Sequence, residues 1–312
     1  MTAITLSFNA IFPLLAFMVT GYVLKKRGFF KGNAADEINK LVFKVFLPLS
    51  IFENIYNTDL QGSFDLKITL FVLVTGIAAY LLLDWLIPKM EEDPSVIPVM
   101  VQGIHKSNYN LLAIPIVSTF VSGDIGMTAV LTAIITPLVN TCSTVIFEKY
   151  SDKSSSGWQK LIKILKNPLV LSSILGVAAN LLRLPIPTVI ISGVVKKLAA
   201  MATPAALLSL GATFDFSRLS LYKKQLAIIS VGKLLVQPAV IVALAVLLGI
   251  RGADLIAIVI FSGSPTAVNS YSTAVSMGGN SELAGQTVIF TSCLSILTLF
   301  ALLCGIGLMG WI

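Results

Sequence analysis

Residues Phe261 to Val275 read FSGSPTAVNSYSTAV, directly after the hydrophobic run ADLIAIVI at 253–260. A run apolar enough to enter a bilayer is thus interrupted halfway by Gly263, Ser264, Pro265, Thr266 and Asn269. Proline lacks a backbone donor and clashes with the carbonyl four residues earlier, so a helix cannot pass through it undisturbed. What such a break means depends on its solvent, and composition supplies that. The 312 residues are 56% hydrophobic and only 12% charged, with a mean hydropathy of +0.90. Soluble domains carry about 25% charged residues. A surface so short of charge points to a bilayer as the solvent. A membrane helix needs roughly 20 apolar residues. Ten such stretches can be marked, near 5–25, 38–57, 66–88, 96–121, 127–148, 168–186, 194–215, 225–249, 253–277 and 285–309. They leave no room for a soluble domain. No basic segment precedes the first, and Lys25, Lys26 and Arg27 follow it, so it reads as a retained first helix and not as a signal peptide.

The net charge of +7 could suggest nucleic acid, but the placement of the charges argues for topology. Lys25, Lys26, Arg27 and Lys31 fall in the first loop, Lys89 in the third, Lys149, Lys153, Lys160, Lys163 and Lys166 around the fifth, and Arg218, Lys223 and Lys224 in the seventh. The even loops and their edges hold Lys67, Arg183, Lys196, Lys197 and Arg251. The positive-inside rule then places the odd loops in the cytoplasm and both termini outside a plasma membrane crossed many times. Cys142, Cys293 and Cys304 sit in apolar spans without redox or metal-ligand spacing, and His105 is the sole histidine, so no metal or other cofactor is expected.

The chain repeats itself. STFVSGD (118–124) is echoed by STAVSMGGN (272–280), TAVLTA (128–133) by TVIFTS (287–292), and KLVFKVFLP (40–48) by KLAAMATP (197–204). The spacing is roughly half the chain, which marks an internal duplication. The expected organisation is a first five-helix repeat at 1–150, a cytoplasmic linker at 151–167 and a second repeat at 168–312. An odd number of spans per unit forces the second copy into the membrane upside down, as in many secondary transporters, whose substrate sites lie at the repeat interface. The linker YSDKSSSGWQKLIKILK (150–166) turns basic and amphipathic, and reads either as a segment lying on anionic lipid or as a solvated loop. The predicted fold is therefore an all-α integral membrane protein of ten transmembrane helices in two inverted five-helix repeats, with helices four and nine broken.

Span four, PVMVQGIHKSNYNLLAIPIVSTFVSG (98–123), mirrors span nine: a polar cluster of His105, Lys106, Ser107, Asn108 and Asn110 precedes Pro115. Unpaired backbone groups cost several kcal/mol each in lipid, so breaks are tolerated only where protein or water satisfies them. Two breaks in corresponding places are a pointer to a transport site, and half-helix N-termini there suit an anion. Pro115 and Pro265 are the expected break prolines. Asn108, Asn110 and Asn269 are the expected hydrogen-bond donors to substrate, with Ser264, Thr266 and Tyr271 beside them.

The segments FLPLSIF (46–52), SNYNLLAIPI (107–116), LSLGATF (208–214), GKLLVQPAVIVALAVLLGIRG (232–252) and SPTAVNSY (264–271) occur in an order that resembles the auxin efflux carrier family over essentially the whole chain. That resemblance implies broken helices four and nine crossing at the membrane centre, a scaffold of helices one, two, six and seven, and a mobile transport domain of helices three to five and eight to ten. It implies small organic anions as substrates, indole-3-acetate in plants and malate or malonate in bacteria, and a homodimer through the scaffold. Pro115, Pro265 and Asn108 match family positions. Asn269 stands where plant members tend to have a second proline, and Ala113 replaces a usual glycine. The long central loop of plant members is absent, which makes this a compact prokaryotic-type member.

Charges within spans mark functional candidates. Glu53 is either a cavity carboxylate that carries protons or a residue of the outer headgroup region. Lys106 either attracts an anion, pairs with a carboxylate or reaches the cytoplasmic interface. Lys233, near Gln237 and Pro238, reads as a structural counter-charge, and Asp84 as interfacial. The leading function is alternating-access transport of a small organic anion, with H+ or Na+ as a possible coupling ion. A channel or ligand sensor on the same fold is the alternative. An intramembrane enzyme is disfavoured, because the run Ser262-Gly263-Ser264-Pro265 lacks nucleophile-elbow spacing and no HExxH occurs.

Overall fold

The computed structural model describes residues 3–60, 64–120, 126–151, 156–215 and 220–311. Every regular element among them is helical, in keeping with a solvent that offers no partner to an open backbone group. Helix α1 is Ala3–Lys26. Helix α2 covers 34–56 and contains a π turn at Val42–Phe46. Helix α3 is Leu66–Lys89. Helices α4 (Ile97–His105) and α5 (Tyr109–Phe120) replace the continuous fourth stretch, and α6 is Gly126–Tyr150. Helices α7 (Gly157–Lys166) and α8 (Pro168–Leu181) follow. Helix α9 is Thr188–Thr213, with a π turn at Ile191–Val195, and α10 is Lys223–Leu247, with another at Gly232–Val236. Helices α11 (Gly252–Gly263) and α12 (Asn269–Met277) replace the ninth stretch, and α13 is Ser281–Leu308.

Five helices are individually long and apolar enough to cross a membrane: α3, α6, α9, α10 and α13. Counting α7 and α8 as one span bent by 61° gives six. Several other stretches are helical but interrupted or short. Helix α9 begins six residues earlier than its apolar stretch suggested, directly after Pro187, whose fixed φ suits a helix entry. The echo at Val121–Asp124, together with Lys153 and Arg218, lies outside the described residues.

The linker's second half is a built helix. Ser156 and Gln159 form a reciprocal capping box at its start, with the Ser156 N–H donating to Gln159 Oε1 at 2.9 Å and the Gln159 N–H donating to Ser156 Oγ at 3.3 Å. It leaves Trp158, Leu161 and Leu165 exposed on a segment that also carries Lys160, Lys163 and Lys166.

Helix pairs distant in sequence are fastened closely. Helix α1 meets the second half of α9 at Gly21 and Gly211. A Cβ on Gly21 would collide with the Leu208 carbonyl oxygen, and one on Gly211 with that of Met18. Helix α2 packs along α8. Asn180 Nδ2 donates to the carbonyls of Ile55 (3.0 Å), Tyr56 (3.1 Å) and Thr58 (2.6 Å), satisfying the free end of α2. Between α3 and α6, Lys149 Nζ pairs with Asp84 at 2.6 Å, which gives the end-of-span aspartate a partner in the neighbouring helix.

Candidate functional site

The two interruptions meet. Helix α11 stops because Ser264 precedes Pro265 and is held extended at ψ 157°. Helix α4 stops without a proline: Lys106 is extended at ψ 117°, and Asn108 stands at the entry to α5, a position where asparagine is a favoured cap. The extended segments run antiparallel, and Ser107 pairs with Thr266. The Asn108 N–H donates to the Pro265 carbonyl at 2.9 Å, and the Ala267 N–H donates to the Lys106 carbonyl at 3.3 Å. Each break thereby satisfies the other's backbone, which is how irregular chain is tolerated deep in such a fold. The Thr266 hydroxyl donates to the Gly103 carbonyl at 2.6 Å, and the Thr266 N–H donates to Thr291 Oγ1 at 3.1 Å.

Beside this crossing lies a cavity of about 380 Å³. Lys106, Asn108, Asn110 and Asn269 line it from the two breaks, Glu53 and Asn54 from α2, Asn140 from α6 and Lys196 from α9. Its polar wall is poorly satisfied. Lys106 is only 1% exposed, and its Nζ has no hydrogen-bond partner among the described residues. The same holds for Asn108 Nδ2, both amide atoms of Asn140 and Asn269 Oδ1. Asn110 is held by Thr136, whose hydroxyl donates to Asn110 Oδ1 at 2.9 Å, so its own NH2 stays available. Glu53 Oε1 accepts from Asn57 Nδ2 at 2.8 Å. The N-termini of α5 and α12 both begin at the crossing, adding partial positive charge. The groups left over are mainly donors, which suits an anion with several acceptor oxygens.

The other sequence-derived candidates stand elsewhere. Pro115 is not in the break. It lies within α5, on the exposed side, and the carbonyl it bears accepts from Ser118 Oγ (3.2 Å) and Thr119 Oγ1 (2.8 Å). The expectation that span four breaks at its proline is therefore corrected: extended backbone at Lys106 to Asn108 makes that break. Ser264, Pro265 and Thr266 build the crossing but do not line the cavity. Tyr271 is buried away from it and shares a 2.6 Å hydrogen bond with Thr213. His105 Nε2 meets the Gly76 carbonyl at 3.0 Å, with its ring edge-on to Tyr80, and so ties α4 to α3. Lys233 and Gln237 also lie off the cavity, in α10. Lys233 is fully buried, and neither its Nζ nor the Gln237 amide finds a partner among the described residues. Lys106 does not reach the interface; it is buried at the cavity.

Lys196 and Asn140 were not among the sequence candidates. Lys196 was counted with an even loop, yet it lies inside α9, directly after the π turn at Ile191–Val195. Leu47, which also lines the cavity, directly follows the π turn of α2. Each π turn rotates the following helix, and such turns recur at functional sites. Asn140 carried a signal, a carboxamide three residues after Pro137 in an apolar span. No cluster of three or more histidine, cysteine or acidic side chains suited to a metal occurs among the described residues.

A duplicated, all-helical chain whose interrupted helices pair beside a polar cavity has the build of a membrane carrier. The membrane transport protein family matches the chain twice, over residues 6–156 and 154–303. The chain belongs to that family, that of the auxin efflux carriers. An uncharacterized transporter of Methanothermobacter thermautotrophicus is 23% identical to it over 294 residues, covering 94% of this chain and 96% of that protein. The two family matches meet within the linker, where the sequence repeat was divided.

Proposed function

We propose that this membrane transport protein carries small organic carboxylates by alternating access, with the cargo bound in the cavity beside the crossing. The observation that carries the reading is the buried, partnerless side-chain nitrogen of Lys106 at a cavity wall that also offers the amides of Asn108, Asn110 and Asn140. A carboxylate would supply the acceptors these groups lack. Lys196 would meet a second acidic group on the opposite side, and Asn269 a hydroxyl donor. A 380 Å³ cavity suits a compact acid such as malate or malonate. In this reading the chain crosses the membrane ten times in two inverted repeats. The tightly crossed pairs α1–α9 and α2–α8 form a stationary body, available for homodimer contact, and the crossing helices with α3, α6, α10 and α13 move against it. Both termini face outward, and the basic helix α7 rests on the anionic cytoplasmic leaflet of the plasma membrane.

Counterflow in proteoliposomes tests this. Vesicles preloaded with unlabelled malate, malonate or indole-3-acetate should accelerate entry of the same labelled acid, saturably. Flux that rises linearly with concentration, or single-channel currents, would favour a pore. Saturable binding of an acid without any flux would favour a sensor.

A further inference from the structure

The cavity wall holds four ionisable side chains, Glu53, Lys106, Tyr109 and Lys196, with unequal support. Glu53 is held by Asn57, and Lys196 reaches the cavity from α9. Lys106, almost completely buried, has no acceptor among the described residues. The other ionisable groups around it offer none. His105, its neighbour, turns to Gly76; Tyr109 donates to the Thr128 carbonyl at 3.1 Å; and Lys233 of α10 is a second buried lysine. Helices α6 and α12 bring no charged side chain to the cavity; their polar contributions are Thr136, Asn140 and Asn269.

Burying an ammonium without a counter-charge is costly, and an arriving carboxylate removes much of that cost. Proton binding at Lys106 and anion binding in the cavity therefore favour each other, and linkage makes the effect reciprocal. Resting on the carboxylate-carrier reading, we propose that Lys106 is the coupling site of a proton–anion symport. The neutral amine takes one proton as the carboxylate binds, giving an ammonium–carboxylate pair that crosses together and releases both on the other side. No other ion is required, and a monocarboxylate would cross without net charge. Lys233 is excluded from this role because it does not line the cavity.

The test is calorimetric titration of the purified protein with malonate, malate and indole-3-acetate in turn, in buffers of different ionisation enthalpy. The expected result is a buffer-dependent heat equivalent to about one proton taken up per anion. Lys106→Arg should bind with no proton uptake, since its guanidinium is always charged. Glu53→Gln should keep the uptake per anion bound, and so should Lys196→Gln, at the weaker affinity expected from the loss of a cargo contact. Heat independent of buffer in the wild type, uptake retained in Lys106→Arg, or uptake lost in Glu53→Gln would each overturn the proposal. If Lys106→Arg binds none of the acids, the wild type and the two other variants decide by the same criteria. Voltage-clamped vesicles with an internal pH dye separate the two levels of inference. Anion entry without lumenal acidification removes the coupling but leaves the carrier. No binding or flux of any of the three acids removes the carrier reading itself.

Discussion

At Lys106 to Asn108 the chain leaves the lysine nitrogen and the Asn108 NH2 without partners beside a cavity. At Ser264 to Thr266 proline fixes the backbone, Thr266 is bonded through both its hydroxyl and its N–H, and the one partnerless group, Ser264 Oγ, does not line the cavity. The two breaks occupy corresponding places in a duplicated chain and share an antiparallel pairing, yet one presents donors to the cavity and the other does not reach it. The lead-in helices α4 and α11 are alike, both buried on nearly every side. The two halves thus share the geometry and differ in the chemistry. A residue's role here follows from which break it serves and which side of the crossing it faces.

Substitutions at equivalent places should therefore behave differently. The largest effect is expected for Lys106→Met, because a hydrogen bond to a charged group is worth about 1.5–3 kcal/mol. Malonate affinity should fall by roughly ten- to a hundredfold, measured by titration or counterflow. An unchanged affinity would dissolve the distinction between the breaks. Asn108→Ala should weaken binding by roughly three- to tenfold, the scale of a neutral hydrogen bond, with thermal stability little changed. Asn140→Ala should do the same if α6 truly faces the cargo. Thr266→Val should act on the fold and not on affinity. Losing the hydroxyl leaves the Gly103 carbonyl unpaired, at a cost of about 1–3 kcal/mol, visible as a lower unfolding midpoint in detergent. A binding defect larger than the stability defect would move Thr266 to the cargo side. The smallest effect is expected for Pro115→Ala. The site lies within α5 and away from the cavity, and alanine is the better helix former, so affinity should stay within about twofold. A loss comparable to that of Lys106→Met would restore Pro115 to the functional centre.

Much of this arrangement was legible in one dimension. The interruption at Ser264-Pro265 follows from local chemistry, since proline constrains itself and the residue before it. The polar cluster around Asn108 was equally visible. Placing the first break at Pro115 failed because a membrane helix can continue past a proline, as this one does within Tyr109–Phe120; the Ser118 and Thr119 hydroxyls bond the Pro115 carbonyl itself and not that of Leu111, which the ring deprives of its donor. Tyr271 and His105 looked like ligands because they are polar in apolar spans. Their partners, Thr213 and Gly76, are 58 and 29 residues away, beyond the reach of local pattern. Lys196 was hidden for the opposite reason. A lysine near the end of an apolar stretch looks interfacial until the helix is seen to start earlier and to bring it to the cavity.

The sequence by itself determined the solvent, the helical class, the duplication and the existence of two interruptions, because hydropathy, proline sterics and repetition are local quantities. Only the tertiary structure decided that Lys106, Asn140 and Lys196 share one cavity and that Lys233 does not. Convergence of side chains from distant helices is set by where the two extended segments pair and by how each π turn rotates its helix, and neither leaves a mark at a fixed spacing along the chain.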